Sequence, residues 1–395
     1  SMALTNGAAT AAQSLEEAAR FMRKLERNGE LDRNVEFLPD DEEIEERKVC
    51  KAGLTRPEIA VLLAYAKMTL YDDLLKSNVP DDPWLVNDIG LYFPPILSQK
   101  YKKYVEGHRL RREISATYIT NSLVNRTGPT FINELIDATG ASAATIARAY
   151  VICRRVFYLS EYWAKIEALD NAISASVQVE LHLEILSLIQ RATRWFIQKT
   201  NQELDVSDTV KKFAPGISEL RSSIRKILSP DLAAAAKSFS EGYEAKGVPV
   251  NLARGISELK ALFASCDIVL LADETGKSVH NTAVAFFNVG AKYNFNWLRQ
   301  TATRVATDND WQKMAVSAIV DEVYDLQATL TGQILAEEKS SITFEKALRT
   351  WEKTRSHQIA RLARTIRDLQ SSEGIDLAML SVAAKNLRTL IETSK

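Results

Sequence analysis

The histidines, cysteines and clustered charges are the residues with which this chain could do chemistry, and their spacing permits little of it. The four histidines, His108, His182, His280 and His357, are widely scattered. A metal centre needs several His, Cys or carboxylate ligands on converging faces. Glu180, His182 and Glu184 alternate, but positions i and i+2 of a helix point apart, so they read as a solvated face. Cys50, Cys153 and Cys266 lie about a hundred residues apart and form no CxxC. They read as reduced thiols of a cytoplasmic protein. A dinucleotide fold would place GxGxxG between a strand and a helix, because the pyrophosphate needs close backbone approach; here no two glycines stand two apart. The nearest approach to a P-loop, Gly242 to Gly247, is followed by Val248-Pro249 rather than Lys-Ser/Thr, so no lysine follows its last glycine to reach phosphates. There is no Gly-x-Ser-x-Gly elbow. The residues therefore name no catalytic, cofactor-binding or metal-binding position.

Two groups remain. Lys100, Lys102, Lys103, His108, Arg109, Arg111 and Arg112 cluster ahead of Glu113. His108, Arg109, Arg111 and Arg112 are the candidates for contact with an anion or an acidic partner. The competing reading is pairing within the chain, for example with the seven acids between Glu36 and Glu46, or plain solvation. Asn121 and Asn125 stand four apart and share a helix face. An amide on a core-facing side must be hydrogen-bonded, so they are expected as a buried polar clasp on a neighbouring helix end or loop, with ligand contact as the alternative.

The elements that must position these groups are helices. Leu54 to Lys67 reads LTRPEIAVLLAYAK. Thr55 is an N-cap, Pro57 sits in the first turn, and Glu58 completes a capping box. The unbroken apolar run Ile59 to Ala66 predicts a helix covered on most sides. Further helices are expected over 14–28, from Asp82-Pro83, from Pro94-Pro95, over 108–126, 143–157 and 174–199, and from Ser229-Pro230. The 108–126 helix carries the apolar stripe Leu110, Ile114, Tyr118 and Val124. Residues 201–216 form the most polar break. Beyond 308 the stripes suggest a long hairpin over 308–369 and a last amphipathic helix from Leu377 to Ile391. Cys266 to Ala272 is the one strand-like run. The tryptophans, Trp84, Trp163, Trp195, Trp297, Trp311 and Trp351, default to core packing.

The expectation is an all-α, multi-helix bundle-like chain without a Rossmann domain. Residues 1–12 read as a remnant of tag removal and disordered, 13–200 as one helical subdomain, and 201–395 as a second packed against it. With 395 residues, 46% of them hydrophobic, the chain can bury a real core. Glycine (15) and proline (10) are scarce, which favours long helices. The net charge of −1 gives no field that would draw it to nucleic acid or an anionic membrane, and no apolar run is long enough to span a bilayer.

Several blocks, in order, resemble the C-terminal helical region of the large bacterial NAD-dependent glutamate dehydrogenases. They include LDRNVEFLPDDEEIEER (31–47), LTRPEIAVLLAYAK (54–67), HRLRREI (108–114), NSLVNRTGPTF (121–131), ASAATIARAY (141–150), TRWF (193–196) and DLAMLSVAAKNLR (376–388). Residues 200–340 are less diagnostic. The resemblance implies that the catalytic domain lies upstream, with NAD, the catalytic lysine and the catalytic aspartate there and no cofactor on this segment. It implies a cytoplasmic homo-oligomer, in which this segment serves assembly, stabilisation or regulation of the catalytic domain of the same chain. Two alternatives remain: a segment that lends basic residues to the active site or to cofactor or effector binding, and a stand-alone helical adaptor.

Overall fold

A computed structural model describes residues 15–82, 87–199, 204–307, 310–337 and 343–392. Among these residues there are twenty α-helices, two short 3-10 turns and no strand, so the chain is all-α with no dinucleotide-binding sheet. The helices are α1 (Leu15–Arg27), α2 (Asp41–Val49), α3 (Arg56–Leu75), α4 (Pro95–Lys100), α5 (Lys102–Glu106), α6 (Arg111–Thr127), α7 (Phe131–Thr139), α8 (Ala143–Val156), α9 (Leu159–Glu167) and α10 (Ala175–Lys199). There follow α11 (Val206–Ile227), α12 (Pro230–Ala245), α13 (Val250–Leu262), α14 (Ser265–Thr275), α15 (Val279–Lys292), α16 (Phe295–Ala302), α17 (Asp310–Glu337), α18 (Phe344–Lys353), α19 (Ser356–Gln370) and α20 (Leu377–Glu392). Residues 1–12, Ser14, Trp84 and the helix expected from Asp82-Pro83 fall wholly or largely outside the described residues.

The chain divides into two compact units, one of residues 1–214 with 242–259, the other of residues 215–241 with 260–395. In the first, α3 packs on α6, α8 on α10, and α9 joins α8 and α10. The α3 start is fixed as its residues require: the Thr55 N–H donates to Glu58 Oε2 at 2.6 Å in a capping box, with Pro57 in the first turn. Its cover is one-sided, however. Ile59, Leu62, Ala66, Leu70 and Leu74 are buried, at helical spacing, whereas Ala60 and Ala64 are exposed. An unbroken apolar run is compatible with one buried face when the outer positions are alanines, which expose little apolar surface.

In the second unit α17 is the hub, packed by α14, α15, α16, α18 and α20, while α19 packs on α20. The return leg after α17 is two helices, broken at Thr354 and Arg355. Trp351, 1% exposed, anchors this core with Leu330, Ile334, Leu380 and Leu387. Trp163 and Trp195 are buried as well, but Trp311 is 78% exposed, at the outer end of α17. The strand-like run at 266–272 lies inside α14, where Cys266, Ile268, Val269, Leu271 and Ala272 are buried. The polar break expected at 201–216 is helical from Val206 onward. Val206, Val210, Phe213, Ile217, Leu220 and Ile224 are buried at alternating spacings of four and three, a continuous stripe that polar neighbours hide in the sequence. Pro215 sits inside that helix.

Candidate functional site

The sequence runs from α8 into α9 through only Phe157 and Tyr158, and Tyr158 is in the left-handed region (φ 56). That sharp reversal lays α9 beside α10 and opens a cleft of about 660 Å³ against α6. Its lining includes Tyr118, Asn121, Ser122, Asn125 and Arg126 of α6. Positions three, four, seven and eight after a residue share its helix face, so these five form one polar ridge. Opposite stand Trp163 and Glu167 of α9 and, on α10, Gln178, His182, Ile185, Leu186 and Ile189. Arg154 of α8 contributes from the floor.

Arg154 is only 5% exposed. Its Nη1 donates to the Tyr118 hydroxyl and to Ser122 Oγ, both at 3.3 Å, and its guanidinium lies 5.6 Å from the Tyr118 ring centroid. Beneath it the Tyr150 hydroxyl donates to the Ser122 carbonyl at 3.0 Å. Burial, only partly offset by the Arg154 charge, pushes the Tyr150 phenol up to about 12, so it remains a neutral donor. At the mouth, Arg126 Nη2 donates to Glu167 Oε1 at 2.6 Å and its guanidinium sits 4.5 Å from the Trp163 ring centroid, a cation–π arrangement. Burial first, and then the Arg126 charge, bring His182 down to about 4 against the opposing pull of Glu167. His182 is thus a half-buried, neutral wall of the cleft and not part of a solvated face.

Asn121 and Asn125 are half-buried and line this cleft. Of the apolar stripe expected on α6, Val124 is on the buried face, whereas Leu110 and Tyr118 are not. Ser115, Ala116, Ile119, Thr120, Leu123, Val124 and Thr127 are buried, Tyr118 faces the cleft, and Leu110 is 49% exposed.

The structure sets the basic cluster apart from the cleft. Arg112 bonds Asp81 and donates to the Leu75 and Ser77 carbonyls at 2.9 and 3.1 Å, closing the end of α3. Arg111 stands 3.5 Å from the same Asp81. The partner of this pair is therefore Asp81 and not the 36–46 acids, which engage Arg23, Arg33, Arg47 and Lys48. His108 Nδ1 accepts from the Leu110 N–H at 3.1 Å, and Arg109 is exposed. Around them Tyr92, Ile96, Leu97, Tyr101, Tyr104 and Leu110 are exposed at 40–78%.

Among the described residues no three His, Cys, Asp or Glu side chains form a group able to hold a metal ion, and no helix is long and apolar enough to cross a membrane. Cys50, Cys153 and Cys266 are unbridged. Sequence reasoning missed Arg126, Arg154, Trp163 and Glu167 as neighbours. The available signal was the polar face of α6; nothing local ties it to Arg154.

The cleft-lining helices lie within the stretch matched by a family model. A family model described as glutamate dehydrogenase, C-terminal, matches residues 51–389. The NAD-specific glutamate dehydrogenase of Pseudomonas aeruginosa is 36% identical over 385 residues, covering 98% of this chain and 24% of that protein. That of Halomonas elongata is 34% identical over 375 residues, covering 95% and 23%, and that of Mycobacterium tuberculosis 29% over 386, covering 98% and 24%. The chain spans about a quarter of the length of these relatives. With a match across most of its length, this chain belongs to the glutamate dehydrogenase C-terminal family.

Proposed function

We propose that this chain is a supporting module of an NAD-specific glutamate dehydrogenase, a cytoplasmic homo-oligomer that oxidises L-glutamate to 2-oxoglutarate and ammonia. In this reading NAD and the reacting groups belong to the part of the longer protein upstream. The helical module holds that catalytic part and steadies subunit assembly. One observation carries the reading: the surface built by residues 92–110. Six large apolar side chains, Tyr92, Ile96, Leu97, Tyr101, Tyr104 and Leu110, are exposed there, interleaved with exposed Lys100, Lys102, Lys103, Arg109 and Arg111. Large exposed apolar side chains among charged ones favour an interaction site, and aromatic residues with arginine are typical anchors. The occupant is the catalytic part of the same longer chain, since relatives four times as long carry this module, and the basic rim calls for an acidic face on it.

The test is the full-length dehydrogenase carrying Ile96→Glu and Tyr104→Glu together. Both side chains are exposed, so the module itself still folds. The expected result is a lower midpoint for thermal loss of activity and a smaller mass by light scattering. Unchanged activity, midpoint and mass would overturn the reading. The exposure of Arg109 favours a second reading, in which this rim reaches the substrate or cofactor. Arg109→Ala would then raise KM with assembly intact.

A further inference from the structure

We propose that the loop of residues 31–40 is a docking knob, anchored by Phe37, that seats in an apolar, base-rimmed pocket on the upstream part of the longer protein. The proposal rests on the reading that this part also covers the 92–110 surface. Phe37 carries it. Its side chain is 89% exposed, and its backbone lies in the left-handed region at φ 53. That conformation is unfavourable for a bulky residue, and glycine would take it freely. The free module thus holds a strained backbone for a ring that it does not bury. Strain of this kind persists only where the surroundings over-determine it, and it clusters at functional contacts.

The loop is fastened on every side of Phe37. Leu31, Leu38 and Pro39 are buried at its two ends. Asp32 Oδ1 accepts the Asn34 N–H at 2.9 Å, and the Asp32 carbonyl accepts the Glu36 N–H at 3.1 Å. Arg33 spans the loop: its Nε donates to Glu26 Oε1 at 2.8 Å and its Nη1 to the Pro39 carbonyl at 3.1 Å. The Tyr65 hydroxyl of α3 donates to Glu36 Oε1 at 2.8 Å. This frame presents Phe37 to solvent, with Val35, 68% exposed, two positions away. An aromatic side chain on a preordered frame loses little freedom on docking, and aromatic residues are enriched at interfaces.

Charge and length select the occupant. On α2, directly after the loop, Glu42 and Glu46 are exposed and share a helix face, so the pocket that receives the loop needs a basic rim. Two knobs facing each other across a two-fold axis would set acid against acid. The basic 92–110 surface of a second module is already covered in the reading above. Relatives about four times as long carry a module of this C-terminal family, which leaves the upstream part as the partner.

The experiment is hydroxyl-radical footprinting, read by mass spectrometry, of the 395-residue chain and of the full-length dehydrogenase. Photo-crosslinking of the full-length protein carrying Phe37→p-benzoylphenylalanine follows. The expected result is oxidation of Phe37 in the 395-residue chain, at least fivefold less of it in the full-length protein, and a cross-link to a peptide upstream of the module. Equal oxidation of Phe37 in the two proteins, or a cross-link to the module of a second copy, would overturn the proposal. Tyr104, 78% exposed, keeps the two readings apart in the same digest. Protection of Tyr104 with Phe37 open overturns the knob alone, and both open overturns the 92–110 reading as well. Phe37→Asn suits a left-handed backbone. It should leave the thermal midpoint of the 395-residue chain unchanged or higher, and lower the midpoint for thermal loss of activity in the full-length enzyme. An equal fall in both would make Phe37 a structural residue and overturn the proposal.

Discussion

Arg47 grips both carboxylate oxygens of Glu58, Nη1 to Oε2 at 2.7 Å and Nη2 to Oε1 at 2.8 Å. The fork joins the end of α2 to the first turn of α3, because the same Glu58 accepts the Thr55 N–H. A glutamate required by a capping box is thereby also an interhelix tie. Burial alone would raise the Glu58 carboxyl, but Arg47 and the Thr55 N–H outweigh it and hold it below the ordinary 4.5. A depressed carboxyl contributes stability above its unfolded-state value and loses it as pH falls through the folded one. Glu58→Gln should therefore lower the urea-unfolding free energy by about 1–3 kcal/mol at pH 7. The gap to the parent chain should narrow steadily below pH 4.5. A gap that stayed constant down to pH 3 would contradict the assignment.

His182 also costs stability as pH falls, but over a higher range. Its folded value, about 4, lies below the ordinary 6.5. Above pH 6.5 the residue is neutral in both states and contributes nothing. Below it the unfolded chain takes up a proton that the folded one refuses, so stability falls until about pH 4. The loss is on the order of 2–3 kcal/mol. His182→Gln should flatten this part of the stability profile, and an NMR titration of the His182 ring should show no protonation at pH 6.

Gly290 on α15 is filled from outside. A Cβ there would lie 2.5 Å from Gln327 Nε2, and that amide donates to the Phe286 carbonyl at 2.8 Å. Gly290→Ala must displace a buried hydrogen bond, at a cost of about 1–3 kcal/mol that exceeds the roughly 1 kcal/mol gained from helix propensity. A thermal midpoint below that of the parent chain is expected.

Two tryptophans that look alike in sequence should behave differently. Trp351, with its indole N–H 3.4 Å from Gln333 Oε1, is fully buried, and Trp351→Ala should cost about 3–5 kcal/mol. Trp311 is largely exposed, and Trp311→Ala should change stability by less than about 0.5 kcal/mol. Chemical denaturation of both variants makes the comparison.

What could be read from the sequence was local. The Thr55–Glu58 box, the Ser142 cap that accepts the Thr145 N–H at 3.2 Å and the glycine stops at Gly140 and Gly276, both left-handed, depend on residues a few positions apart. The cleft does not. Arg126 and Arg154 meet the same space only because α6, α8 and α9 fold together, and the reversal at Tyr158 carries no recognisable turn sequence. Tyr118 was legible as apolar but not as cleft-facing, since a helix offers a stripe without saying which neighbour covers it. The helix through 206–216 was hidden because its buried stripe is diluted by lysines and acids and interrupted by Pro215.

The most direct measurement of the supporting role is amide hydrogen exchange over residues 92–110, in the 395-residue chain and in the full-length dehydrogenase. Docking of the catalytic part on this surface predicts slower exchange through α4 and α5 in the full-length enzyme, with α17 in the core of its unit unchanged. Identical exchange in the two proteins would contradict the account.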